Sequence, residues 1–227
     1  MNIKHPAKFT DSFIPVFADI LKETNNVIDV FAGTGKIVKI KDFGYKGKVF
    51  INEIEPEWAE INSSMTDGFT KLDAENLPYK DEYFEAVCTS PTYGNRMADC
   101  HNAKDGSKRN TYTHTLGRKL DDENTGKMQW GDKYKEKHKK CWVEVERILK
   151  KDGLLILNIS DHIRKGERIH VTDFHVSFLE SIGFVVLEHK KINTPRNGFG
   201  ANANVRVDYE SIIIFKKTKK QKEEEMK

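Results

Sequence analysis

The stretch Val27-Ile28-Asp29-Val30-Phe31-Ala32-Gly33-Thr34-Gly35 decides how this chain is read. Its first half is a short, β-branched apolar run with the composition of a buried strand. Its second half must turn, because Gly33 and Gly35 bracket a single threonine and glycine enters backbone regions closed to other residues. A strand that ends in a glycine turn, with a short helix to follow, offers backbone to a ligand at the carboxyl edge of an open α/β sheet. A phosphate-cradling loop would need G-x-x-x-x-G-K-[ST]. Here Gly35-Lys36 is followed by Ile37 and position 30 is Val, so that pattern fails. A dinucleotide fingerprint would need a third glycine at position 38, which is Val, and it fails too.

Outward from this turn, apolar periodicity predicts the other elements. Upstream, Phe13, Ile14, Phe17, Ile20 and Leu21 form a helical stripe within residues 10–22, with Thr10 or Asp11 as the expected cap. Downstream, residues 48–52 and 84–89 read as strands, and Pro56 opens a helix that takes in Trp58 and Ile61. Residues 134–150 read as a helix, 153–159 as a buried strand, and 171–182 as a helix stopped by Gly183. The runs at 184–187 and 209–215 leave no room for a crossover helix and read as a hairpin. Strands alternating with helices imply an α/β fold, a mainly parallel sheet covered on both faces with an antiparallel C-terminal strand.

The chain has 227 residues, 37% hydrophobic and 32% charged, which suits one core under a strongly polar surface. One domain is expected over residues 1–220, with a loop-rich basic insertion at 94–133 and a charged tail at 217–227. No apolar stretch approaches the length of a bilayer span, so no membrane partner is expected. Met1-Asn2-Ile3-Lys4-His5-Pro6 lacks the apolar core of a secretion signal, and Cys88, Cys100 and Cys141 form no CxxC pair. Reduced thiols in a cytoplasmic protein are the expectation. Net charge is only +3, but residues 94–140 carry twelve Lys/Arg against seven acids. That asymmetry points to a polyanionic partner. Asp99-Cys100-His101 with His114 matches no zinc spacing, and no metal is predicted.

The pattern D-x-F-x-G-x-G at Asp29–Gly35 resembles the S-adenosylmethionine (SAM) turn of class I methyltransferases. The resemblance implies a Rossmann-like sheet with SAM as cofactor, held by Asp29, Phe31, Ala32, Gly33 and Gly35. Glu53, ending the next strand, would accept the ribose hydroxyls, and Asp73-Ala74, before Leu77-Pro78, would hold the adenine amino group. Ser90-Pro91-Thr92-Tyr93-Gly94 follows a strand directly and resembles the [DNS]-P-P-[YFW] motif of methyltransferases that modify exocyclic amino groups, cytosine N4 and adenine N6, in DNA. Thr92 stands where that motif has its second proline. The stretch from Asn193-Thr194-Pro195-Arg196 through Arg206-Val207-Asp208-Tyr209-Glu210 and the segment His5-Pro6-Ala7-Lys8-Phe9 are similar to other parts of the same family.

The chemistry suits these residue types. An exocyclic amine is a poor nucleophile because its lone pair is delocalised into the ring. Ser90 Oγ and the Pro91 carbonyl can accept its two N–H groups, localising the lone pair and aiming it at the sulfonium methyl. Tyr93 would stack on a base taken out of the helix. The absence of a Pro-Cys pair argues against carbon-5 methylation. Among the methyltransferases this motif resembles, serine in the first position goes more often with cytosine N4 and aspartate with adenine N6, so the resemblance favours cytosine. Arg96, Arg109 and Arg118, interleaved with Tyr112, His114 and Trp130, are the expected DNA contacts of a bacterial or phage-encoded enzyme. Two alternatives stay open: an RNA amino-group methyltransferase, and a nucleic-acid-binding protein of this fold that transfers no methyl group.

Overall fold

The computed structural model describes residues 10–94, 112–194 and 205–218. Its strands are Asn26–Asp29 (β1), Lys48–Asn52 (β2), Gly68–Thr70 (β3), Phe84–Thr89 (β4), Leu149–Ile159 (β5), His162–Arg164 (β6), Glu167–Ile169 (β7), Phe184–Asn193 (β8) and Tyr209–Lys217 (β9). Its α-helices are Phe13–Leu21 (α1), Pro56–Ala59 (α2), Tyr112–Leu116 (α3), Asp132–Ile148 (α4) and Val171–Ser181 (α5). Seven strands form one sheet in the order β3-β2-β1-β4-β5-β9-β8, and β6 and β7 form a separate small hairpin. Strands β1 to β5 pair in parallel. The expected closing hairpin is present: β9 runs antiparallel to both β5 and β8 and lies between them.

Alternate residues of the central strands feed two cores, one on each face of the sheet. Val27, Val49, Ile51, Ala86, Cys88 and Ile156 pack under α1 and a 3-10 helix at Lys36–Phe43. Ile28, Val87, Leu155, Leu157, Ile213 and Phe215 pack under α4 and α5 through Trp142, Val145, Val171 and Leu179. Phe13 and Phe17 are fully buried, and burying each contributes about 1.5–3 kcal/mol.

Several elements depart from the sequence reading. Ser12, rather than Thr10 or Asp11, holds the N-cap of α1, and it makes no side-chain cap bond. The helix after the glycine turn is 3-10, between Gly35 and Gly44, both left-handed. The helix that Pro56 opens ends at Ala59, short of Ile61. Strand β5 begins early, at Leu149, across a register shift against β4. Strand β8 continues to Asn193, its outer half largely charged and exposed as suits an edge strand. β9 runs through Lys217, which is buried rather than part of a tail. Its Nζ donates to the carbonyls of Glu146 (2.6 Å) and Leu149 (2.9 Å), placing a cation at the carboxyl end of α4.

The parallel run from β1 to β5 brings five carboxyl ends to one edge of the sheet. Asp29, Glu53 and Ser90 all lie there.

Candidate active site

The glycine turn offers backbone N–H groups that buried side chains fasten. Asp29 is 1% exposed, and its Oδ1 accepts from Phe31 N (3.1 Å) and Thr89 Oγ1 (2.6 Å). Phe31 N also reaches Thr89 Oγ1 at 3.2 Å, so the turn is tied to the strand that carries Ser90. Glu53 accepts from Gly33 N at 2.8 Å and from Glu55 N at 3.0 Å. Asn52, which the sequence reading passed over, bonds the Val30 and Leu72 carbonyls and accepts from Thr70 Oγ1 and Leu72 N. Gly35 has φ +71°, and a Cβ there would meet Ile51 Cδ1 at 3.0 Å, so only glycine suits the position. Burial pushes the carboxyl of Asp29 up to about 7, against the opposing bonds from Thr89 and Phe31. Burial likewise pushes Glu53 up to about 7, with Glu55 and Asp29 adding to it. Asp29 Oδ2 is buried with no partner.

One residue past Glu53 begins an open cleft of about 550 Å³ lined by Ile54, Glu55, Leu72, Asp73, Arg118 and Asp121, among others; residues 29–35 and Glu53 do not line it. Asp73 borders it as expected, but its carboxylate is engaged: Oδ1 accepts from Glu75 N at 3.1 Å and Oδ2 from Lys137 Nζ. Ala74 is buried beneath. Burial disfavours the Lys137 ammonium, but its bonds to Asp73 and Glu123 outweigh this and hold its pKa above the ordinary value. Glu55, fully buried, fastens the described part of the insertion, accepting from Asp121 N and Asn124 Nδ2 at 2.8 Å each. Arg118, expected on DNA, lies at this cleft with its Nη2 2.8 Å from Glu55 and its Nε 2.8 Å from Glu57. Tyr112 packs edge-on against Trp58 at 5.5 Å. The segment at 112–127 therefore packs against α2 and this cleft. Arg96, Arg109, Asp99-Cys100-His101, His5–Phe9 and Pro195-Arg196 lie outside the described residues.

The acceptor loop leaves the carboxyl end of β4. Ser90 Oγ and Tyr93 Oη lie 3.2 Å apart. With Ser90 as donor in that pair, both of its lone pairs stay available. Pro91 is buried, and Gly94, at φ +68°, backs onto Trp130, whose N donates to its carbonyl at 3.0 Å. Thr92 Oγ1 donates to Thr125 Oγ1 at 3.1 Å, and the Thr92 carbonyl accepts from Tyr134 Oη at 2.5 Å. The sequence reading missed Tyr134 and His175. The only hint was a stripe at Tyr134, His138 and Trp142, spaced to share one face of α4.

The sheet has the fold of class I SAM-dependent methyltransferases. A SAM-dependent methyltransferase from Methanosarcina mazei has a similar fold (14% identity, 90% of this chain, 97% of that one, TM-score 0.57). So does the N-methyltransferase NodS from Bradyrhizobium japonicum (9% identity, 92% and 94%, TM-score 0.56). A third is a possible histamine N-methyltransferase from Thermotoga maritima (20% identity, 92% and 88%, TM-score 0.51). The model of the N6/N4 DNA methylase family matches residues 84–227, and the chain belongs to that family. No curated protein matches it in sequence.

SAM is the cofactor, and the residues present fit it. Asp29 Oδ2 is buried with no partner, a polar position that a group of the bound cofactor would have to satisfy. The cleft sets apolar Ile54 and Leu72 among charged side chains, a mixed lining that would suit a nucleoside. Among the described residues no helix is long and apolar enough to cross a membrane.

Proposed function

We propose that the chain methylates an exocyclic amino group of a base in DNA, cytosine N4 before adenine N6. The observation that carries this reading is the adjacency of β1 and β4, whose carboxyl ends hold the glycine turn and Ser90 and are joined through Thr89. Ser90 Oγ and the Pro91 carbonyl accept the two amine N–H groups, and Tyr93 stacks on the base. SAM, when bound, supplies a methyl group whose transfer leaves the electron pair of the broken S–C bond on sulfur. The amine gains the N–C bond and releases one proton to water. Asp29, Phe31, Ala32, Gly33, Gly35, Glu53, Asp73 and Ala74 line the cofactor side of this reading. Residues 94–133, with Arg96 and Arg109, serve as the target-recognition element of a single domain. Arg118 acts instead as a fastening between that element and the cofactor cleft.

The test is incubation with SAM and either DNA or RNA, followed by digestion to nucleosides and mass spectrometry. N4-methylcytosine from DNA is expected. Methylated nucleosides from RNA alone, or from neither substrate, overturn the reading.

A further inference from the structure

Thr92 occupies the position of the motif's second proline and is held through both its side chain and its backbone. Beyond its bonds to Thr125 and Tyr134, the contacts extend in a line. Tyr134 Oη lies 3.0 Å from His175 Nε2, and His175 Nδ1 lies 2.8 Å from Trp142 Nε1. An indole N–H can only donate. His175 Nδ1 must therefore be the bare acceptor, with the imidazole proton on Nε2. That proton points to Tyr134 Oη, which leaves the phenol's own proton for the Thr92 carbonyl. Tyr134, Trp142 and His175 are all fully buried. Burial drives His175 well below its ordinary value, with His138 adding to it. Burial also drives Tyr134 well above its own, with Tyr93 adding to it. Both groups stay neutral, and one proton arrangement satisfies every bond.

We propose that Trp142, His175 and Tyr134 form a directed hydrogen-bond relay which, with Thr125, holds Thr92 in the backbone path that a second proline would impose, and so sets the direction of the Pro91 carbonyl. Proline imposes that path by fixing φ. Here, anchoring the Thr92 side chain and carbonyl orients the residue and, with it, the peptide plane of the Pro91 carbonyl. These are positioning residues, and their effect on methyl transfer rests on the reading of Ser90–Tyr93 as the acceptor site.

Tyr134→Phe removes one hydroxyl and keeps the ring. In that variant kcat should fall roughly tenfold while the KM for SAM stays put, and the amides of Thr92, Tyr93 and Gly94 should exchange hydrogen faster. Adding Thr92→Pro, which removes the amide at 92, should restore most of the kcat and slow exchange again at Tyr93 and Gly94. Unchanged exchange in Tyr134→Phe, or no rescue by the proline, overturns the proposal. Nitrogen NMR of the wild-type protein needs no variant to fold: His175 should carry its proton on Nε2 and be neutral at pH 7, as burial holds its pKa below the ordinary value. A proton on Nδ1 overturns the relay. Should exchange and NMR agree with the relay while the wild type methylates no nucleic acid, the acceptor reading fails and the clamp stands.

Discussion

The two halves of this site are held in different ways. The glycine turn is fastened from within the sheet, by side chains at the carboxyl ends of its strands: Glu53 caps Gly33 N from 20 residues away, Asn52 reaches the Val30 carbonyl from 22, and Thr89 meets Phe31 N from 58. The Ser90–Gly94 loop depends on side chains from helices and loops outside the sheet. Thr125 is 33 residues from Thr92 and Tyr134 is 42. A turn held from within the sheet needs its glycines and its sheet. A loop held from outside the sheet can be loosened one hydroxyl at a time, and its rigidity can be adjusted without touching the cofactor.

That contrast can be broken by experiment. Ser90→Ala should lower methyl transfer by about a hundredfold, the scale for losing one aimed polar group, with SAM affinity by calorimetry unchanged. A collapse of SAM affinity instead would merge the two halves. Gly35→Ala should do the reverse. Left-handed backbone costs an alanine about 1–2 kcal/mol, and the added Cβ presses on Ile51, so the melting temperature and SAM affinity should both drop. A variant that binds SAM as tightly as the wild type would show that the turn does not need its glycine.

Asp29→Asn tests the buried carboxyl. Because its pKa is raised from 3.8 to about 7, the native state keeps a proton that the unfolded chain has lost across that window. Stability therefore falls as pH climbs from 4 to 7 and is level above. The asparagine variant should gain on the wild type over the same range, by an amount on the order of a few kcal/mol at pH 8. A gain independent of pH in thermal melts would refute that assignment. The smallest effect belongs to Thr125→Val. Losing one neutral hydrogen bond, worth about 0.5–1.5 kcal/mol, should cut kcat a few-fold with KM for SAM unmoved. A change in KM alone would place Thr125 with the cofactor half.

Most of the sheet was legible because its strands are short apolar runs that end at turn residues, as in Val27 to Asp29 and Phe84 to Thr89. The elements missed lack that signal. Gly68-Phe69-Thr70 is too short to show alternation. His162-Ile163-Arg164 and Glu167-Arg168-Ile169 are largely polar and pair only with each other across a turn containing Gly166. The glycine turn and the Ser90–Tyr93 loop could be recognised because each is continuous in sequence. Glu55 sat in plain view two residues after Glu53, yet its partners Asp121 and Asn124 could not be inferred across so long a separation. The same holds for Tyr134 and His175, which read as helix core and prove to be core side chains with a polar end aimed at Thr92. Arg118 illustrates the converse: composition grouped it with the other cations, whereas its bonds fasten it to Glu55 and Glu57.

Trp130 N bonds the Gly94 carbonyl, so the chain that departs at Gly94 is stitched back to its own starting point. The entropy of closing a loop grows only logarithmically with length, each doubling costing about 0.6 kcal/mol. The length of chain between Gly94 and Trp130 therefore carries little thermodynamic weight. The stitch separates what can differ in length from the strand ends that Gly33 and Ser90 follow.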